Sequence, residues 1–144
     1  EAEFYQSQWK DKLGIDVEVE VLTKKERIAR AKAGEFEIVR YAWGPDYADP
    51  MTYLEMFHSK VKDLNFAKYA NPKYDELVDL AKVNQDNKTR MDAMKQAEKL
   101  LSDDFRYSVL YYEVGVYLIN PKLKGVVIRS VGDSIDFYNA SITK

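Results

Sequence analysis

Ile15-Asp-Val-Glu-Val-Glu-Val-Leu22 is the segment that decides the predicted fold of this chain. Apolar side chains alternate with carboxylates along it, which is typical of a β-strand with one buried face and one acidic, solvated face. Phe36-Glu-Ile-Val-Arg-Tyr-Ala42 predicts a second strand. Between them, the capping-box pattern Thr23-Lys-Lys-Glu26 predicts the start of a helix that ends at Gly34. This order of elements predicts a βαβ unit, whose two strands are normally parallel neighbours.

Helices are predicted on both sides of this unit. Apolar residues at helical spacing predict one helix over 4–13, with Gly14 just past its end, and a short one over 52–57. Asn71-Pro72 has the residues that cap and begin a helix, and a further helix is predicted to start near Asp86. The residues expected on the buried faces of these last two helices are Tyr74, Leu77, Val78, Ala81, Met94, Ala97 and Leu101.

The last third of the chain predicts further strands. Residues 107–119 form a β-rich run interrupted by Gly115, and 126–128 form a shorter one after a turn at Asn120-Pro121. Together with the βαβ unit, they predict an α/β chain with a mixed sheet and flanking helices. Because no repeat or linker interrupts residues 1–144, the sequence predicts one domain.

Composition limits the classes of function. The chain has 144 residues, of which 46% are hydrophobic and 32% charged, as in ordinary globular proteins. Its net charge of −2 argues against a nucleic-acid partner. It has no cysteine, which excludes disulfides and zinc–thiolate sites, and His58 is its only histidine. The sequence therefore predicts neither a metal site nor a cofactor.

The segment Arg40-Tyr-Ala-Trp-Gly-Pro-Asp-Tyr-Ala-Asp-Pro50 follows the second predicted strand. Ligands of open α/β sheets bind beyond the carboxyl ends of strands, and Gly and Pro turn this segment into a loop. Asp46, flanked by Trp43 and Tyr47, suits an ammonium group, which a carboxylate and aromatic faces both attract. Arg40 offers a forked donor for a carboxylate. The loop is therefore typical of a receptor for a zwitterion such as a peptide or an amino acid.

Other interpretations of the loop remain open at this stage. Asp46 and Asp49 could form a catalytic acid–base pair, but no nucleophile motif, phosphate loop or second histidine accompanies them. We therefore predict no enzymatic activity. Asp49 precedes Pro50 and could instead organise the turn, since Asp side chains bond nearby backbone amides. Arg40 and Asp46 could also simply pair with each other or with neighbouring groups.

Nearly the whole sequence resembles the C-terminal part of oligopeptide-binding proteins, the bacterial extracellular solute-binding proteins of family 5 that supply peptide ABC importers. The most specific match is the signature W..DY.DP, formed here by Trp43 and by Asp46-Tyr-Ala-Asp-Pro50. Other matches include Gln8 to Ile15, Arg90, Val109 to Tyr112 and Asn120 to Gly125. The resemblance implies a type II periplasmic-binding-protein-like lobe, present here in part.

The resemblance also implies roles for individual residues. Asp46 matches the residue that binds the α-ammonium of the peptide, and Trp43 matches a residue of a side-chain pocket. Arg40 matches a position that helps to neutralise the peptide carboxylate in some members. Tyr111 and Tyr112 match a Tyr-rich strand near the ligand backbone. Tyr47 completes the set of residues expected to bind peptide.

The same resemblance implies the setting of the chain. It would be the later part of the C-terminal lobe, and its partners would be an oligopeptide, the permease subunits of an ABC transporter and the missing N-terminal lobe. The location would be extracytoplasmic, in the periplasm or as a lipoprotein on the outer face of the membrane. Other members bind nickel complexes, haem, sugars or signalling peptides, so these ligands remain alternatives, as does a non-transport interaction domain.

Overall fold

The fold is taken from a computed structural model, which describes residues 1–132 and 134–143. The chain divides into two compact units, Glu1–Ala42 and Trp43–Lys144. The prediction of one domain over residues 1–144 stays a prediction.

The first unit contains two helices, α1 (Ala2–Leu13) and α2 (Lys24–Ala33). Gly14 ends α1 in the left-handed conformation with φ of 67°, as the sequence predicted, because glycine adopts it without strain. The predicted capping box opens α2. The Thr23 hydroxyl accepts from the Glu26 amide at 3.3 Å, while the Glu26 carboxylate accepts from the Thr23 amide at 3.1 Å.

The strands predicted at Ile15–Leu22 and Phe36–Ala42 are not formed in this structure. Among the described residues neither segment pairs in a ladder, so the order strand–helix–strand appears as α2 between two irregular segments. A trace of the alternation remains, since Val17 and Val19 are half-buried while Glu18 is exposed. Alternation specifies which face of a strand is buried, but the amides still need a neighbouring strand, and the described part of the first unit supplies none.

The second unit begins with two short consecutive helical segments and then forms two long helices. These are α3 (Met51–Leu54), a 3₁₀ turn (Glu55–Phe57), α4 (Pro72–Val83) and α5 (Asn87–Asp103). The predicted caps are confirmed. The Asn71 side chain accepts from the Lys73 amide at 3.0 Å, and the Asp86 carboxylate accepts from the Thr89 amide at 2.8 Å. Within the described ranges, no helix is both long and apolar enough to cross a membrane.

The hydrophobic core of the second unit lies between α4 and α5, with α3 and Tyr69 packed against them. Every residue predicted on the two buried stripes is found there. The members of this core are Met51, Leu54, Tyr69, Tyr74, Leu77, Val78, Ala81, Ala93, Met94, Ala97 and Leu101. The core therefore supports α3, which directly follows the loop that carries Asp46.

Residues 107–119 do not form the predicted strand. Among the described residues they belong to no β-ladder, and apolar side chains such as Leu118 are exposed. The reason is again a missing partner strand. Small antiparallel ladders form beyond it, where β1 (Leu123–Lys124) pairs with β4 (Ser141–Ile142) and β2 (Val127–Ile128) pairs with β3 (Ile135–Asp136). The predicted mixed sheet is therefore absent from the described residues, and α-helices dominate the regular structure.

Candidate functional site

An open cleft of about 420 Å³ lies beside the loop at the start of the second unit. It is lined by Trp43, Gly44, Pro45, Asp46 and Gly132. The Gly132 amide lies 3.4 Å from the Pro45 carbonyl oxygen, so a turn from the end of the chain closes one side. Its volume falls in the range of about 300–1,000 Å³ that is usual for small-molecule sites. The structure thus brings Trp43 and Asp46, two of the predicted binding residues, to one concave surface.

Asp46 is fixed through its backbone and leaves its side chain exposed. Its amide donates to the Thr52 hydroxyl at 3.2 Å, and Thr52 lies in α3 with only 2% of its surface exposed. Within residues 1–132 and 134–143, no donor contacts the Asp46 carboxylate. The carboxylate is therefore open to a cation that enters the cleft, while half-buried Trp43 offers an aromatic surface beside it.

The hydroxyl of Tyr47 is bonded to another side chain of the protein. The hydroxyl donates to the Glu55 carboxylate at 2.8 Å, and Glu55 also forms an ion pair of 3.4 Å with Lys82. Desolvation and the hydrogen bond to Glu55 raise the pKa of Tyr47 to about 12. The phenol is therefore neutral at ordinary pH and engaged, whereas 42% of the residue remains exposed. A contact between Tyr47 and peptide stays a prediction, and it would have to use the ring.

Asp49 forms a bidentate ion pair with Arg90 of α5. Arg90 Nη2 lies 2.7 Å from Asp49 Oδ1, and Arg90 Nη1 lies 2.7 Å from Asp49 Oδ2. The Met51 amide donates to the same carboxylate at 2.9 Å. The hydrogen bond from Arg90 holds the pKa of Asp49 below its usual range. The turn-organising role considered for Asp49 is therefore observed, and Asp46 and Asp49 differ in their surroundings.

The remaining predicted binding residues are Arg40, Tyr111 and Tyr112. Arg40 belongs to the first unit, where its guanidinium lies 3.2 Å from the Glu1 carboxylate. Tyr111 and Tyr112 lie in the irregular segment of the second unit, with 49% and 91% of their surfaces exposed, and do not line the cleft. Their roles towards a peptide stay predictions.

No role at the site was predicted from the sequence for three residues that shape it, namely Thr52, Arg90 and Gly132. Thr52 lies in a segment predicted only as a helix, so its hydroxyl bond to a residue six positions earlier had no local signal. Arg90 is 41 positions from its partner Asp49. A lone glycine such as Gly132 carries no positional information by itself.

His58, the only histidine in the sequence, is buried, with 3% of its surface exposed. Its Nδ1 accepts from the Lys60 amide at 3.1 Å, and its Nε2 lies 3.2 Å from the Asp79 carboxylate. In the part of the chain that the structure describes, no group of three or more potential ligand side chains could hold a metal ion.

Sequence comparison links the chain to one family. Residues 1–65 match the model described as bacterial extracellular solute-binding proteins, family 5 Middle. The dipeptide-binding protein DppE of Bacillus subtilis is 36% identical over 131 residues, which are 91% of this chain and 24% of that protein. The chain therefore spans about a quarter of the length of the curated relatives that it matches.

Solved structures match nearly the whole chain. The substrate-binding domain of an oligopeptide ABC transporter from Bacillus anthracis superposes with a TM-score of 0.87 at 32% identity, over 99% of this chain and 28% of that one. Listeria monocytogenes OppA bound to peptide gives 0.85 at 28% identity, over 99% and 27%. The predicted fold class, a partial periplasmic-binding-protein-like lobe, is thereby confirmed, although the strands predicted within it are unpaired here.

Proposed function

We propose that this chain, which belongs to the bacterial extracellular solute-binding proteins of family 5, forms part of the peptide site of an ABC importer. The observation that carries the proposal is the exposed carboxylate of Asp46 in a cleft beside Trp43. Two of the relatives that match the chain are named a dipeptide-binding and an oligopeptide-binding protein. A cleft with one available anion suits the one cation that every unmodified peptide has, its α-ammonium.

Asp46 would receive the α-ammonium of the peptide. Its amide is already bonded to buried Thr52, so the backbone needs little reorganisation when the ligand arrives. Trp43 would contribute its ring face and would keep water from one side of the ion pair, which strengthens the attraction. Arg40 would serve the peptide carboxylate, and Tyr47, Tyr111 and Tyr112 would contact the rest of the ligand.

The chain would be one piece of a longer, two-lobed protein, namely the later part of its C-terminal lobe. Its relatives are about four times as long, and their remaining segments would supply strands for residues 15–22, 36–42 and 107–119. Exposed apolar side chains support this view, because Val21 and Leu118 are 90% and 99% exposed. The N-terminal lobe would close over the ligand by a hinge motion.

The protein would work outside the cytoplasm and without catalysis. The family model that matches residues 1–65 is one of extracellular solute-binding proteins, and we expect the captured solute to be passed on chemically unchanged. We expect the loaded protein to dock on the permease subunits of an ABC transporter. Location in the periplasm or attachment by a lipid to the outer face of the membrane would both fit this role.

Purification of the full-length protein and mass spectrometry of the ligand that it retains would test this proposal. We expect peptides with free amino termini. A retained nickel complex, haem or sugar would contradict the peptide assignment but keep the transport class. If no ligand is retained and calorimetry with a mixed pool of tri- to pentapeptides detects no binding, the proposed function is wrong.

A further inference from the structure

We propose that Arg90 is a positioning residue for Asp46, which it places towards the ligand through Asp49 and α3. This inference rests on the proposed function, because it gives Arg90 a role in the recognition of the peptide ammonium. Arg90 lies on α5 and does not line the cleft, so it would act without touching the ligand.

Arg90 is itself rigidly held. Its Nε donates to the Ala81 carbonyl oxygen at 3.0 Å, and Ala81 is fully buried in the core. Its two terminal nitrogens then both lie 2.7 Å from the Asp49 carboxylate. A guanidinium is planar and presents its donors in a fixed fork, so these contacts set both the position and the orientation of the Asp49 carboxylate.

Asp49 in turn fixes the start of α3. Its carboxylate accepts from the Met51 amide at 2.9 Å, and its carbonyl oxygen accepts from the Thr52 amide at 3.2 Å. Thr52 then uses its hydroxyl to accept from the Asp46 amide at 3.2 Å. Residues 46–52 are thus bonded to one another and are connected to α5 by Arg90. Asp46 is held at one end of this connected segment and lines the cleft.

A positioning role predicts a selective loss rather than a general one. If Asp49 shifts, α3 and Thr52 shift with it, and the Asp46 carboxylate meets the ammonium at a longer distance, which weakens the bond between them. Contacts that other residues make with the peptide would persist. The loss should therefore fall on peptides with a free amino terminus and spare peptides whose amino terminus is acetylated.

The test compares Arg90→Lys and Asp49→Asn with the unaltered full-length protein. Lysine keeps the charge but loses the fork, and asparagine keeps an oxygen for the Met51 amide but loses the charge. Lys99→Met is the control, because Lys99 is a cation on the same helix whose ion pair of 2.8 Å with Asp103 is exposed. Calorimetry measures the affinity of each protein for one peptide with a free amino terminus and for its N-acetylated form.

We expect both variants to lose about tenfold in affinity for the free peptide, as for a weakened charge-assisted hydrogen bond, and less than about twofold for the acetylated form. Lys99→Met should change neither affinity. Equal losses for both peptides, unchanged affinities, or a failure of both variants to fold would overturn the positioning role while leaving Asp46 as the receptor. If the unaltered protein binds both peptides equally, the Asp46 assignment itself is wrong, and this inference is overturned with it.

Discussion

Tyr74 donates its hydroxyl to the backbone carbonyl oxygen of Leu54 at 2.6 Å, in the core between α4 and the end of α3. Tyr74 is completely buried, and Tyr69 packs against its ring at 5.2 Å between centroids in an edge-to-face arrangement. Burial raises the pKa of the Tyr74 hydroxyl, so it remains a donor at every ordinary pH. This bond ties the segment after the candidate peptide loop to α4, which contributes four buried residues to the core of the second unit.

Tyr74→Phe should therefore destabilise the full-length protein by about 1–3 kcal/mol, because it leaves the buried Leu54 carbonyl without its donor. Thermal unfolding monitored by circular dichroism would measure the fall in melting temperature. Tyr53→Phe is the matched control, since Tyr53 is 41% exposed on the same short helix. If the two variants melt at the same temperature, the Tyr74 bond does not contribute as described.

The ring and the hydroxyl of Tyr47 should contribute differently to peptide affinity, and two substitutions separate them. Because its hydroxyl bonds to Glu55, Tyr47→Phe should cost about 0.5–1.5 kcal/mol of stability and leave peptide affinity within about twofold. Tyr47→Ala removes the exposed ring as well and should weaken peptide binding clearly more. Calorimetry on both variants decides between these contributions. A large loss of affinity in Tyr47→Phe would mean that the hydroxyl leaves Glu55 to bind the ligand.

Alkaline pH should lower the stability of the protein over a defined window. Desolvation and carboxylate partners raise the pKa of both Tyr47 and Tyr69 from 10.0 to about 12. Between these values the unfolded chain loses the phenolic protons while the folded chain retains them, so stability falls as pH rises. The contribution is complete below pH 10 and is lost as pH passes through about 12.

Urea titrations at several pH values from 9 to about 12 would measure this fall. In the double variant Tyr47→Phe/Tyr69→Phe, the slope of unfolding free energy against pH should be shallower over the same window. Identical slopes would show that neither phenol is responsible.

The isolated 144-residue chain should bind peptide much more weakly than the full-length protein. It has the candidate ammonium receptor in an open cleft, and in the proposed two-lobed protein the N-terminal lobe would complete the site. Calorimetry with the same pool of tri- to pentapeptides would compare the two. Micromolar binding by the isolated chain would contradict the two-lobe account.

The sequence predicted the features that depend on residues close together in the chain. Gly14, the Thr23 capping box and the Asn71 cap depend on residues within one turn of the helix, and all three are found. The buried stripes of α4 and α5 were also predicted, since helical spacing alone determines them. For the site, the loop at 40–50 and the separate roles of Asp46 and Asp49 could be proposed from residue chemistry and from the family signature.

The features that could not be predicted depend on contacts between residues that lie far apart in the chain. The alternation in Ile15–Leu22 specified a face but could not supply the neighbouring strand that turns it into a ladder. Arg90 carried no sign that it would reach Asp49, because that contact depends on how α5 packs. Likewise, the bond from Asp46 to Thr52 depends on a tight turn whose shape Gly44, Pro45 and Pro50 only suggest.

The most direct test of the account is the effect of Asp46→Asn on peptide affinity in the full-length protein, measured by calorimetry. Asparagine is nearly the same size, so the amide bond to Thr52 should persist while the negative charge is lost. We expect a loss of about 2–5 kcal/mol for a peptide with a free amino terminus and almost none for its N-acetylated form. An unchanged dissociation constant for the free peptide would contradict Asp46 as the ammonium receptor.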